Sequence, residues 1–85
     1  MKSFNYVIKE ELGLHARPAG ILAKQAKGYE SKVTITKAEK SAEATRLMAV
    51  MALAVKQGEE VTVDVEGADE DKAVEEIKAF FEANF

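Results

Sequence analysis

The one histidine of the chain, His15, stands in the run Gly13-Leu14-His15-Ala16-Arg17-Pro18-Ala19, immediately before a segment with helical spacing. An imidazole is a nitrogen nucleophile whose charge changes close to neutral pH, so its neutral, attacking form is available there. A helix beginning just after it presents backbone N–H groups with no intrahelical acceptor and the positive end of the helix dipole, which together attract anions. Arg17 adds a planar fork of donors suited to phosphate oxygens. The combination points to a histidine that attacks phosphorus and leaves the transferred oxygens on the same donors. On spacing alone, a histidine that merely caps a helix or faces solvent is the commoner case.

Two further groups of residues carry a signal. No carboxylate occurs between Glu11 and Glu30, a stretch that holds His15, Arg17, Lys24 and Lys27, so a local cationic field is expected. At 100° per residue the three cations fall together, opposite the apolar face of the same helix. A solvated helix face accounts for them as readily as a ligand does. The second group is Leu47-Met48-Ala49-Val50-Met51-Ala52-Leu53-Ala54-Val55, nine uncharged residues in a row. The run is too short for a membrane span of about 20 residues. It is also too apolar all round for every side chain to turn inward, so Leu47, Met48 and Met51 read either as core or as exposed surface for a partner.

Composition removes most other chemistries. With no cysteine, the chain has no disulfide, thiolate metal site or thiol nucleophile, and one histidine gives no metal-ligand spacing. No metal or organic cofactor is expected. Phosphate-binding and nucleotide-binding glycine motifs are missing. Asp69, Glu70 and Asp71 are explained by capping and dipole at a helix start. Residues 1–58 carry ten Lys or Arg against five acids, whereas residues 59–85 carry two against ten, and the acidic balance with few aromatics disfavours nucleic acid. The sequence shows no signal peptide or membrane segment, and together with the lack of cysteine this favours a cytoplasmic location.

At 85 residues the chain is expected to form one domain, 1–85, with a thin core and its chemistry on the surface. Strands are expected over Phe4–Ile8, Lys32–Thr36, Ser41–Thr45 and Val61–Glu66, from apolar residues at every second position. The first helix should run from Ala16 to a stop at Gly28, burying Ala19, Leu22, Ala23 and Ala26, with Pro18 tolerated in its first turn. The second lies in the Leu47–Val55 run. The third opens on Asp69, Glu70 and Asp71 and buries Val74, Ile77 and Phe81. The order βαββαβα, with a short hairpin over Lys37–Lys40, gives an α+β fold: a four-stranded, mainly antiparallel sheet with three helices on one face.

The Gly-Leu-His-Ala-Arg-Pro-Ala stretch resembles the HPr family, the histidine-containing phosphocarriers of the bacterial phosphoenolpyruvate:sugar phosphotransferase system. The resemblance extends through Lys24, Ala26, Lys27 and Gly28, through Leu47-Met48-Ala49-Val50-Met51 and through Lys56-Gln57-Gly58, and covers essentially the whole chain. It implies an open-faced β-sandwich. It further implies that His15 takes a phosphoryl group on Nδ1 from phosphorylated enzyme I and gives it to a histidine on the IIA domain of a sugar permease. Arg17 and the backbone N–H of Ala16 would bind the phosphoryl oxygens, and Lys24, Lys27, Leu47, Met48 and Met51 would dock partners. Such a protein is a covalently modified carrier, expected as a monomer, rather than an enzyme acting alone. The alternatives are an adaptor that uses the same docking face without carrying phosphate, and a small RNA-binding domain. Where many family members have a regulatory serine this chain has Arg46, and the hairpin tip is Ala38-Glu39 rather than Asn-Gly.

Overall fold

Val61, Val63 and Val65 alternate with polar residues and are fully buried, so their strand turns one face to the core and the other away from it. The computed structural model describes residues 1–85. Its elements are β1 (Lys2–Val7), α1 (Ala16–Ala26), β2 (Lys32–Lys37), β3 (Lys40–Glu43), α2 (Leu47–Ala52), β4 (Glu60–Glu66) and α3 (Glu70–Asn84). The strands lie in the order β1-β4-β2-β3. Every pairing is antiparallel, with Phe4 opposite Val63, Val33 opposite Val65 and Ile35 opposite Ala42. The fold is therefore the expected α+β open sandwich, antiparallel throughout rather than mainly so.

Inward residues of strands and helices meet in one cluster. Its centre is Phe81 of α3, fully buried. The ring meets Phe4 and Tyr6 edge-on at 5.7 and 5.6 Å and Phe85 at 5.1 Å, geometries that favour aromatic pairs. The stripe of α3 is Ala73, Ile77 and Phe81. Val74, expected on it, is half-buried at its edge, because a period of four from Phe81 lands on Ala73 and the small side chain lets the helix approach the sheet. Along α1 the buried face is Pro18, Ala19, Leu22, Ala23 and Ala26. The other face of the sheet, with Ser3, Asn5, Thr34, Thr36, Ser41, Thr62 and Asp64, carries no helix, and Thr62 donates there to the Asn5 side chain at 2.8 Å.

Several boundaries differ from expectation. β1 starts at Lys2 and ends at Val7. Ile8 has left the strand, although it is buried and its N–H still reaches the Glu59 carbonyl at 3.0 Å. β3 ends at Glu43 rather than Thr45, while Ala42 and Ala44 are buried as the alternation required. α1 stops at Ala26 and Lys27, and Gly28 closes the turn on Gln25 without a positive φ. At the hairpin tip Ala38 has φ +53° and Glu39 does not share it, the φ signs of a type II′ turn rather than the Asn-Gly type I′. The apolar run gives only six helical residues, since Ala54 turns to φ +52° and sends Val55 back into the core. No helix is long and apolar enough to cross a membrane.

Candidate functional site

His15 is the N-cap residue of α1, with extended backbone (φ −85°, ψ 167°) and no side-chain capping bond. Its carbonyl accepts the N–H of Ala19 at 3.1 Å. The preceding loop is held from outside the helix. Gly13 has φ +67°, a conformation costly for any side chain, and a Cβ there would lie 2.3 Å from the Val55 carbonyl oxygen. Leu14 is buried and donates its N–H to that same oxygen at 3.1 Å. Leu14 thus anchors the chain one residue before His15, and the imidazole emerges half-buried at the surface.

The N–H groups of Ala16 and Arg17 have no acceptor within the chain, and both residues are exposed. Pro18 follows with no N–H to leave unpaired. The dipole end of an 11-residue helix and two free donors therefore open beside the imidazole. His15, Arg17, Pro18 and Ile21 line a shallow depression of about 270 Å³, closed by Glu10 and by Ala83 and Asn84 of α3. Three of these, Glu10, Ala83 and Asn84, went unread in the sequence. The last two arrive from the far end of the chain, where the Phe85 carbonyl accepts the N–H groups of Lys9 and Glu10 at 2.5 and 2.7 Å. No periodic signal marks such a contact.

Lys24 and Lys27 lie elsewhere. With Thr45, Arg46, Leu47 and Met48 they border a second depression, about 750 Å³, between α1 and α2. Gly20 faces α2 here, and a Cβ on it would meet the Leu47 side chain at an ordinary 3.9 Å. The exposed face of α1 is thus split: Arg17 stands with His15, and the two lysines with α2. Met48 is 81% exposed. Leu47 and Met51 are half-buried and pack against the core, and Met51 does not line the depression. Arg46 is the N-cap residue of α2, without a side-chain cap, at 3.9 Å from Glu43.

Glu70 and Asp71 lie in the first turn of α3, as the dipole reading required, but the expected side-chain cap is not made. Asp69 caps no N–H of its own helix. Its carboxylate accepts the Ser31 hydroxyl at 2.5 Å and the Glu30 N–H at 2.9 Å, bonds that hold the carboxyl below its usual range. Glu70 accepts the Gly67 N–H at 3.2 Å and pairs with the terminal amine at 3.0 Å, and is held low in the same way. No group of three or more His, Asp or Glu is placed to hold a metal ion.

A family described as PTS HPr component phosphorylation site matches residues 2–83. The chain belongs to the HPr family. It is similar to the phosphocarrier protein HPr of Mycoplasma capricolum, 44% identical over 78 residues that cover 92% of this chain and 88% of the relative. Among solved structures it is similar to HPr of Thermoanaerobacter tengcongensis (TM-score 0.91, 35% identity, 98% of this chain and 93% of that one). HPr of Bacillus anthracis is a further neighbour, with TM-score 0.86, 29% identity and coverage of 94% and 95%. Membership makes the chain an HPr phosphocarrier of the bacterial phosphotransferase system.

Proposed function

We propose that His15 carries the phosphoryl group, taking it from phosphorylated enzyme I and passing it to a histidine on the IIA domain of a sugar permease. In the first step the Nδ1 lone pair of neutral His15 attacks phosphorus. The bond between phosphorus and the donor's histidine nitrogen breaks, and the electron pair stays on that nitrogen. The second step repeats this with His15 as the leaving group. Each imidazole keeps its other N–H, so no proton need be lost to solvent. The observation that carries the reading is the pair of unpartnered N–H groups, Ala16 and Arg17, opening at the helix end beside a half-buried imidazole. They and the Arg17 guanidinium supply donors for the three phosphoryl oxygens.

Residues 1–85 act in this reading as one cytoplasmic domain. Partners dock on the α1–α2 surface, where exposed Met48 and half-buried Leu47 lie beside Lys24 and Lys27 and match an apolar contact with acidic surroundings. Met51 supports that surface from beneath. Incubation with phosphoenolpyruvate and enzyme I should add one acid-labile phosphoryl group to the intact mass, and His15→Ala should fold and gain none. Labelling of His15→Ala would assign the carrier role to another residue.

A further inference from the structure

α2 is six residues long and ends on Ala54 at φ +52°. A helix of this length does not hold itself together, since most of its residues are needed to close the first turn. Its end is also unfavourable, because left-handed caps belong to glycine and an alanine there strains against its own Cβ. The Ala54 N–H reaches the Met51 carbonyl at 3.0 Å, so the turn is formed despite the strain.

The fixing contact comes from β2. The Lys37 ammonium donates to the carbonyls of Leu53 at 3.3 Å and Ala54 at 2.9 Å, the two that flank the strained Ala54 Cα. The ammonium is itself held by Glu59 at 3.0 Å, and its side chain is 25% exposed. Glu59 is tied down in turn by the Lys56 N–H at 2.7 Å. A cation at the C-terminal end of a helix also complements its dipole.

We propose that Lys37 is a positioning residue, its ammonium clamping the left-handed turn at Ala54 and so setting where the partner-docking helix α2 ends. Its consequence for phosphotransfer rests on the docking reading above. Two properties separate this clamp from a surface ion pair. Besides its pairing with Glu59, the ammonium donates to two main-chain carbonyls, which a screened pair of side chains does not do. The need for it also depends on the residue at 54: glycine adopts the same turn unaided, and the clamp then has little left to hold.

The experiment uses the full chain as Lys37→Met, Lys37→Arg, Ala54→Gly and the double variant Lys37→Met/Ala54→Gly. Amide hydrogen exchange of Val50 to Val55 and the apparent KM and kcat with phosphorylated enzyme I are read on each. Lys37→Met should speed exchange across this segment about tenfold relative to the rest of the protein. Lys37→Arg should hold it within about threefold of the parent, and Ala54→Gly should remove most of the effect of Lys37→Met. In the same series Lys37→Met should raise KM several-fold with kcat nearly unchanged. Unchanged exchange in Lys37→Met, or a Lys37→Met effect that Ala54→Gly does not suppress, would overturn the clamp. Exchange behaving as stated with KM unmoved upholds the clamp and refutes docking through α2.

Discussion

Gly13→Ala tests how the His15 loop is held, and Gly58→Ala is its control. Both glycines have positive φ, +67° and +88°, but a Cβ at Gly58 meets nothing within 4 Å while one at Gly13 lies 2.3 Å from the Val55 oxygen and 3.0 Å from the Lys56 Cα. An alanine in this region costs about 1–2 kcal/mol, and the stiffer unfolded chain returns about 0.4–1 kcal/mol, so Gly58→Ala should lose about 1 kcal/mol. Gly13→Ala pays the same and must also open a contact by about 1 Å to bring 2.3 Å up to an ordinary 3.4 Å. The opening strains or breaks the Leu14-to-Val55 bond, leaving a carbonyl with a penalty of about 1–3 kcal/mol. The total is about 3 kcal/mol, roughly 2 more than the control. At about 4–8 °C per kcal/mol for a domain of this size, the two variants should differ in Tm by about 10 °C. Urea unfolding at neutral pH reads the free energies, and initial rates with enzyme I should show Gly13→Ala slowed well beyond Gly58→Ala. Stabilities within about 0.5 kcal/mol of each other would mean that the loop yields freely and that Val55 does not fix His15.

Further outcomes are expected. Met48→Glu should leave stability within about 0.5 kcal/mol, because the side chain is 81% exposed. It should raise the apparent KM with both enzyme I and a IIA domain, and an unchanged KM with either would remove the shared docking face. Asp69 is held low chiefly by the Ser31 hydroxyl and then by the Glu30 N–H, so its stabilisation is complete above the unfolded-state carboxylate pKa and is lost as pH falls through the lower folded value. The stability gap between parent and Asp69→Asn should accordingly be widest near neutrality and shrink in acid; a gap independent of pH would contradict that. A serine kinase that modifies ordinary HPr proteins should leave this one unmodified and should modify Arg46→Ser, with peptide mass as the readout. Phosphate on Thr45 or Ser41 of the parent would show a displaced acceptor.

Residues whose neighbours are close in sequence were the readable ones. Alternating valines in β4 and the four-residue period of α1 placed their elements, and the Gly-Leu-His-Ala-Arg-Pro-Ala run placed His15 ahead of a helix. What stayed hidden depends on partners far along the chain. Ile8 lies past the end of β1, although its N–H still bonds the Glu59 carbonyl in the register of β4. Asp69 ignores its own helix for Ser31 and Glu30. Lys37 reaches the end of α2, and Asn84 arrives beside His15. α2 stops early at a left-handed alanine, where local propensity favours continued helix and the demand to bury Val55 prevails. The cationic face of α1 was correct as a set of exposed side chains, but the placement of α2 and α3 divides it between two depressions.

The strand order has a consequence for how the chain reaches its native state. β4 is the last strand in sequence, yet it lies between β1 and β2, and β1 pairs with nothing else. Lys2 must therefore wait for Val65, and closing so long a loop is slow compared with local pairing. During synthesis the first 59 residues hold a ready hairpin, β2–β3, and a stranded β1 with an open edge. A ribosome that stalls in this interval releases a fragment that contains His15 but lacks the strand to which the rest of the sheet is fastened. Incomplete chains should therefore be degraded or aggregate rather than compete as poor carriers.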